Sequence, residues 1–122
     1  MKAPVIIAII DDEENIRRGM SGLLRSFGYE ARSFESAEAF LATTEAADCS
    51  CIVSDVHMGG MSGIDLFHTL ATRGSVVPFI FVTAFADEIG RLNLGKDTCV
   101  LPKPFKVDTL VDCIEKATQA AP

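Results

Sequence analysis

Four short apolar runs, each closed by a polar residue able to do chemistry, set the strongest limit on what this chain can fold into. They are Val5 to Ile10, Cys51 to Ser54, Phe79 to Val82 and Cys99 to Leu101, and they lead into Asp11-Asp12, Asp55, Thr83 and Lys103. Runs this short, rich in Val and Ile and without alternation, read as strands buried on both faces, the pattern of a parallel sheet covered by helices. If the strands are parallel, their polar ends share one edge. In an open α/β sheet that carboxyl edge is where ligands bind.

The segments between the runs supply the helices. Ile16, Met20, Leu23, Leu24 and Phe27 fall at helical spacing, with Gly28 placed to end the helix in the left-handed region. Tyr29 to Phe34 reads as a more polar edge strand. Ser36 is a candidate N-cap for a helix carrying Phe40 and Leu41, and Thr43 to Ser50 returns the chain to the central strand. Ser62 caps a helix with the stripe Ile64, Phe67 and Leu70, closed by Gly74. A strand over Val76 to Val82 has Pro78 near its start. The next connection is weak, since its helical candidate, Asp87 to Leu94, contains Gly90 and is followed by Gly95. Leu110, Val111, Ile114 and Ala117 mark the last helix, and the tail from Thr118 looks frayed. Five strands alternating with five helices make a doubly wound α/β fold. With 122 residues, 48% of them apolar, the chain is read as one domain over 1–122, with 119–122 a tail or the start of a linker.

Several function classes are excluded or disfavoured. A net charge of -6 argues against nucleic-acid binding by this chain itself, because phosphate neutralisation needs clustered Lys and Arg. No apolar run reaches the roughly 20 residues of a membrane span, and Met1 to Pro4 lacks the pattern of a signal peptide. The expectation is a cytoplasmic protein. Cys49, Cys51, Cys99 and Cys113 do not suggest a disulfide scaffold in a domain with this much aliphatic core; three of them sit within or beside strands or on a helix face and are read as small buried hydrophobes. Cys49-x-Cys51 lacks the second pair that a zinc site wants.

Three carboxylates gathered on one edge raise one another's pKa unless something positive sits among them. A hard divalent cation fits: Mg²⁺, or Mn²⁺ in its place, takes a few carboxylates and keeps several waters. Lys103 offers a compact positive charge for a phosphoryl oxygen and Thr83 a hydroxyl donor. These are the parts of a phosphoryl-transfer site with a carboxylate nucleophile. Taken singly, Asp11-Asp12 is explained as an acidic helix start, Thr83 as a strand-end cap and Lys103 as a solvated charge. Their ordered recurrence at four strand ends is not.

The chain resembles the receiver domains of two-component response regulators. The resemblance is carried by Ile10-Asp-Asp12, Ser54-Asp-Val-His-Met-Gly-Gly-Met-Ser-Gly63, Val82-Thr-Ala84 and Pro102-Lys-Pro-Phe105. Ile9-Ile-Asp-Asp12, Arg25-Ser-Phe-Gly-Tyr29 and Glu35-Ser-Ala-Glu-Ala-Phe-Leu41 look most like the FixJ-type branch, whose members usually carry a C-terminal DNA-binding domain. The resemblance implies the flavodoxin-like strand order 2-1-3-4-5. It implies that Asp55 is the phosphoacceptor and that Asp11, Asp12, Asp55 and the backbone carbonyl of His57 bind Mg²⁺. Thr83 and Lys103 would hold the acyl phosphate, and His57 and Phe85 would line its access path. The implied partners are a sensor histidine kinase or phosphotransfer protein and, once phosphorylated, a second copy of the chain. DNA would be reached only through an output domain, and the membrane not at all. The activity the resemblance implies is self-phosphorylation and its reversal, without turnover of an external substrate.

Two departures bear on the output. Gly59 stands where the family has proline, and Val100 where it has the switch Phe or Tyr, beside a shortened fourth helix. Two other readings compete. A phosphorylation-independent interaction domain would keep the site without the switch, and an aspartyl-phosphate phosphatase of the haloacid dehalogenase type would need a second Asp where this chain has His57. Met58 and Met61 are read as anchors of the glycine-rich loop.

Overall fold

The structure, a computed structural model, describes residues 5–43, 48–91, 94 and 98–119. The chain alternates β1 (Ile6–Ile10), α1 (Glu14–Ser26), β2 (Glu30–Phe34), α2 (Ala37–Leu41), β3 (Cys51–Asp55), α3 (Gly63–Thr72), β4 (Phe79–Thr83), α4 (Ala86–Gly90), β5 (Thr98–Pro102) and α5 (Val107–Gln119). The strands form one parallel sheet in the order β2-β1-β3-β4-β5. This is the doubly wound arrangement that the non-alternating apolar runs demand, because each inner strand must cover both of its faces.

Side-chain alternation divides the core in two. Ile7, Ile9, Cys51, Val53, Ile80, Val82 and Leu101 face Met20 and Leu24 of α1 and Leu110 and Ile114 of α5. Ala8, Ile10, Ile52, Phe79 and Phe81 face Phe40 of α2, Leu66 and Leu70 of α3 and Ile89 of α4. Phe40 and Leu66 are fully buried, and burying a side chain of that size stabilises the fold by about 1.5–3 kcal/mol. β3 and β4 are buried along their whole length. The outer strands β2 and β5 are only partly covered.

The local signals that end helices act as the sequence suggests. Gly28 and Gly74 adopt φ of 91° and 82°, the left-handed conformation that a side chain disfavours. Ser36 accepts a hydrogen bond from Ala39 N at 3.0 Å. Ser62 and Asp65 form a reciprocal capping box at the start of α3.

Elsewhere the structure corrects the sequence reading. The fourth strand does not start at Val76, which is fully exposed. It starts at Phe79, after Pro78 has given its carbonyl to Ile52 N at 3.0 Å, because proline has no N–H for the ladder. Leu66, not the flanking Ile64 and Phe67, is the most buried side chain of α3. α4 stops at Gly90, leaving Leu94 outside the helix. Thr118 and Gln119 continue α5, and Thr118 bonds back to the Ile114 carbonyl at 2.8 Å. The expected tail otherwise lies outside the described residues, as do Gly95 and the middle of the Thr43 to Ser50 return.

The cysteine expectation also needs correction. Cys99 and Cys113 are joined as a disulfide between β5 and α5, with Cα atoms 6.6 Å apart. Spacing along the chain gave no hint of this, since the pairing depends on which face of β5 meets α5. Cys49 and Cys51 are buried, pack in different core layers and are not joined as a disulfide.

Candidate phosphoryl-transfer site

Strand register assembles the site. Ile10 lies beside Ser54, Asp55 beside Val82 and Thr83 beside Pro102, so the residues that end β1, β3, β4 and β5 come together at the carboxyl edge. Parallel pairing thus converts four separate strand ends into one cluster.

Lys103 is the electrostatic centre. Its Nζ lies 3.3 Å from Asp55 Oδ2 and 3.5 Å from Asp11 Oδ2. Burial works against the ammonium charge, but the two carboxylates outweigh it and hold the Lys103 pKa above its ordinary value. Asp11 is almost wholly buried. That burial raises its pKa, against the opposing pull of the Glu13 N–H and of Lys103. The Glu13 bond reaches Asp11 Oδ1 at 2.9 Å. Arg17 donates to the Asp11 carbonyl at 2.8 Å, tying the start of α1 to the same turn.

Carboxylate oxygens of Asp11, Asp12 and Asp55 all lie within 4.8 Å of one another, and Asp12 is the exposed member. Three acids against one ammonium leave uncompensated negative charge, and an all-oxygen donor set open on one side is what a hard divalent cation takes. The residues therefore fit a hard divalent cation.

The polypeptide behind Asp55 is tightly fitted. Ser54 Oγ donates to the Asp55 carbonyl at 2.8 Å. Gly63, at the start of α3, packs so close that a Cβ there would overlap that carbonyl oxygen. Val56 accepts from Gly63 N at 3.0 Å, closing the intervening loop. Met58 and Met61 pack on the second core layer, as expected of anchors. Glu38 was not singled out from the sequence. It reaches from α2 to accept a hydrogen bond from Met61 N at 3.1 Å. Gly60 has φ of 86°, and a Cβ there would meet Glu38 Oε2 at 2.6 Å. A glutamate in the first turn of a short helix carries no local sign that it will cross to another loop.

Thr83 is fully buried, its Oγ1 accepts from Phe85 N at 3.0 Å, and its carbonyl accepts from Lys103 N at 2.9 Å. The exposed rings of His57 and Phe85 meet edge to face at 5.1 Å, joining the loops after β3 and β4. Val100 is not part of this cluster. It pairs with Phe81 in the sheet and packs on the second core layer.

Comparison with known proteins agrees with the geometry. The family model of the response regulator receiver domain matches residues 7–115. The response regulator protein TmoT of Ectopseudomonas mendocina is 34% identical over 96% of this chain and 54% of its own length. The transcriptional regulatory protein FixJ of Bradyrhizobium diazoefficiens is 34% identical over 94% of this chain and 57% of its own. The chain thus spans little more than half the length of these relatives. Among solved structures, the response regulator StyR superposes with a TM-score of 0.84 at 35% identity, over 96% of this chain and 60% of that one. FixJ-N gives 0.83 at 28% identity, over 100% and 98%.

Proposed function

The chain belongs to the response regulator receiver domain family, and we propose that it accepts a phosphoryl group on Asp55 from a histidine kinase or a phosphotransfer protein. The observation that carries this reading is the position of Asp55 at the carboxyl end of the central strand, 3.3 Å from Lys103 and clustered with Asp11 and Asp12.

An Asp55 carboxylate oxygen attacks the phosphorus of a phosphohistidine in line. The new P–O bond forms as the P–N bond breaks, and the imidazole leaves with its electron pair and takes up a proton. Lys103 then moves its charge from the two carboxylates to a phosphoryl oxygen, and Thr83 donates its hydroxyl to another. Asp11, Asp12, Asp55 and the His57 carbonyl would hold Mg²⁺, which supplies positive charge to the phosphoryl oxygens when bound. Asp11 would contribute to that site largely through a water. The face formed by α4, β5 and α5 transmits the change, in the cytoplasm and toward transcriptional output through a further domain.

The ring pair of His57 and Phe85 supports slow loss of the phosphoryl group, since both side chains are bulky where water would approach. Faster hydrolysis in wild type than in His57→Ala would contradict shielding and assign His57 the role of a base.

Acetyl phosphate labelling tests the main reading. Mg²⁺-dependent incorporation on Asp55, lost in Asp55→Asn, is expected. An unlabelled wild-type protein would favour the phosphorylation-independent interaction domain instead. Turnover of an external phosphate ester would favour the phosphatase, which the exposed His57 in place of a second Asp argues against.

A further inference from the structure

We propose that Cys99 and Cys113 are a reversible thiol–disulfide modification site, which pins β5 to α5 and thereby sets how readily Asp55 takes a phosphoryl group. The consequence for Asp55 rests on the phosphoacceptor reading; the thiol chemistry does not.

The sheet places these two cysteines differently from the other two. Cys99 and Cys113 are half-buried, on facing sides of the layer between β5 and α5, and their Cα separation of 6.6 Å lies within disulfide range. The partial exposure of both residues is the opening through which a small thiol or disulfide would approach. Cys49 and Cys51 cannot respond in the same way, because both are buried and they sit on opposite layers. Burial also pushes the Cys51 thiol up to about 12, which leaves almost no thiolate at neutral pH. The chain therefore has one partly exposed pair at disulfide distance and two buried thiols.

The segment closed by the bond gives the pair its consequence. Residues 99 to 113 include Lys103, whose ammonium bridges Asp11 and Asp55. They also include Val100, which faces the layer of Ile89 in α4. Oxidation makes one covalent unit of β5, the Lys103 turn and the first half of α5. A phosphoryl group has to draw Lys103 away from its two carboxylates, so the cross-linked form favours the unmodified arrangement. Any ligand shifts such an equilibrium only by its difference in affinity for the two states.

The oxidant is a low-molecular-weight disulfide such as glutathione disulfide. One protein thiolate attacks it, forming a mixed disulfide and releasing one glutathione thiolate. The second protein thiolate then attacks the protein sulfur of that mixed disulfide and expels the second glutathione. Two protein thiols lose two electrons and two protons, and one glutathione disulfide becomes two glutathione molecules.

The test uses the full chain, first reduced with dithiothreitol under native conditions and then treated with glutathione disulfide. Alkylation and mass spectrometry should show the two thiols lost together, a 99–113 cross-linked peptide, and no retained glutathione. A lasting glutathione adduct, independent alkylation of the two thiols in glutathione disulfide, or a bond that native dithiothreitol cannot open would overturn the switch. Beryllofluoride with Mg²⁺ should bind the oxidised form about tenfold more weakly than the reduced form, within the usual range of coupling between sites. A Cys99→Ala, Cys113→Ala variant should match the reduced form in either buffer. Equal affinities in the two redox forms, with normal labelling of Asp55, would overturn the coupling alone. Failure of acetyl phosphate to label Asp55 in the reduced protein would instead overturn the phosphoacceptor reading, and the coupling with it.

Discussion

The ends of β1 and β3 and the segment from β4 through α4 to β5 are built to different standards within one sheet. β3 is buried along its length, Gly63 and Ser54 clamp the Asp55 carbonyl, and α3 behind it begins with a complete capping box. α4 has five residues, no side-chain cap on its N-terminus and one buried side chain, Ile89. β5 beside it buries only Leu101. Isolated helices of that length are marginal, so α4 exists through its packing and little else. On the proposed phosphoacceptor reading, a tightly held Asp55 next to a poorly anchored helix would make a workable switch, because new bonds at the first bias the second without dismantling the core.

The largest expected effect breaks the well-built side. Leu66→Ala should destabilise the protein by about 2–5 kcal/mol, as a cavity beneath α3 would, read by denaturant unfolding. A loss no larger than that of an exposed substitution would show that the support of the site is looser than its packing implies.

Gly63→Ala comes next, at about 1–3 kcal/mol, because the new methyl has backbone rather than a flexible side chain to push against. It should also weaken Mg²⁺ binding by displacing Asp55. Unchanged stability and unchanged Mg²⁺ affinity together would contradict the clamp.

Asp11→Asn probes the charge cluster. Burial raises the Asp11 pKa above its unfolded value of 3.8, so its contribution to stability is full below that value and is lost as pH rises through the folded pKa. In the absence of divalent ions, the variant should therefore gain melting temperature relative to wild type as pH rises above about 4. Lys103, also raised, contributes below 10.5 and loses that contribution only at more alkaline pH. A gap between the two proteins that narrows as pH rises from about 4 would contradict the burial cause.

The smallest effect strengthens the weak side. Gly90 has open space where a Cβ would go and no positive φ, so Gly90→Ala should stabilise α4 by about 0.5–1 kcal/mol. Chemical denaturation and local amide exchange would measure it. A destabilised variant would mean that Gly90 serves some contact the helix needs.

The same contrast decides how much of the molecule could be read from the sequence. Two-sided burial writes itself as unbroken Val and Ile runs, and caps write themselves as Ser36, Ser62, Gly28 and Gly74, so the sheet and the clustered acids were legible. The pairing of Cys99 with Cys113 and the reach of Glu38 to Met61 depend on which faces meet after folding, and no local pattern encodes that. The extent of α4 was legible only in part. Gly90 signalled weakness, but the pattern from Asp87 to Leu94 did not mark that the helix runs only from Ala86 to Gly90.

Amide hydrogen exchange with and without beryllofluoride and Mg²⁺ tests the central claim most directly. Residues 51–55 of β3 should exchange slowly in both states, while residues 84–91 exchange quickly in the unmodified protein and slow markedly once the phosphoryl mimic binds. Strong protection of residues 84–91 without the mimic, unchanged on adding it, would contradict the account.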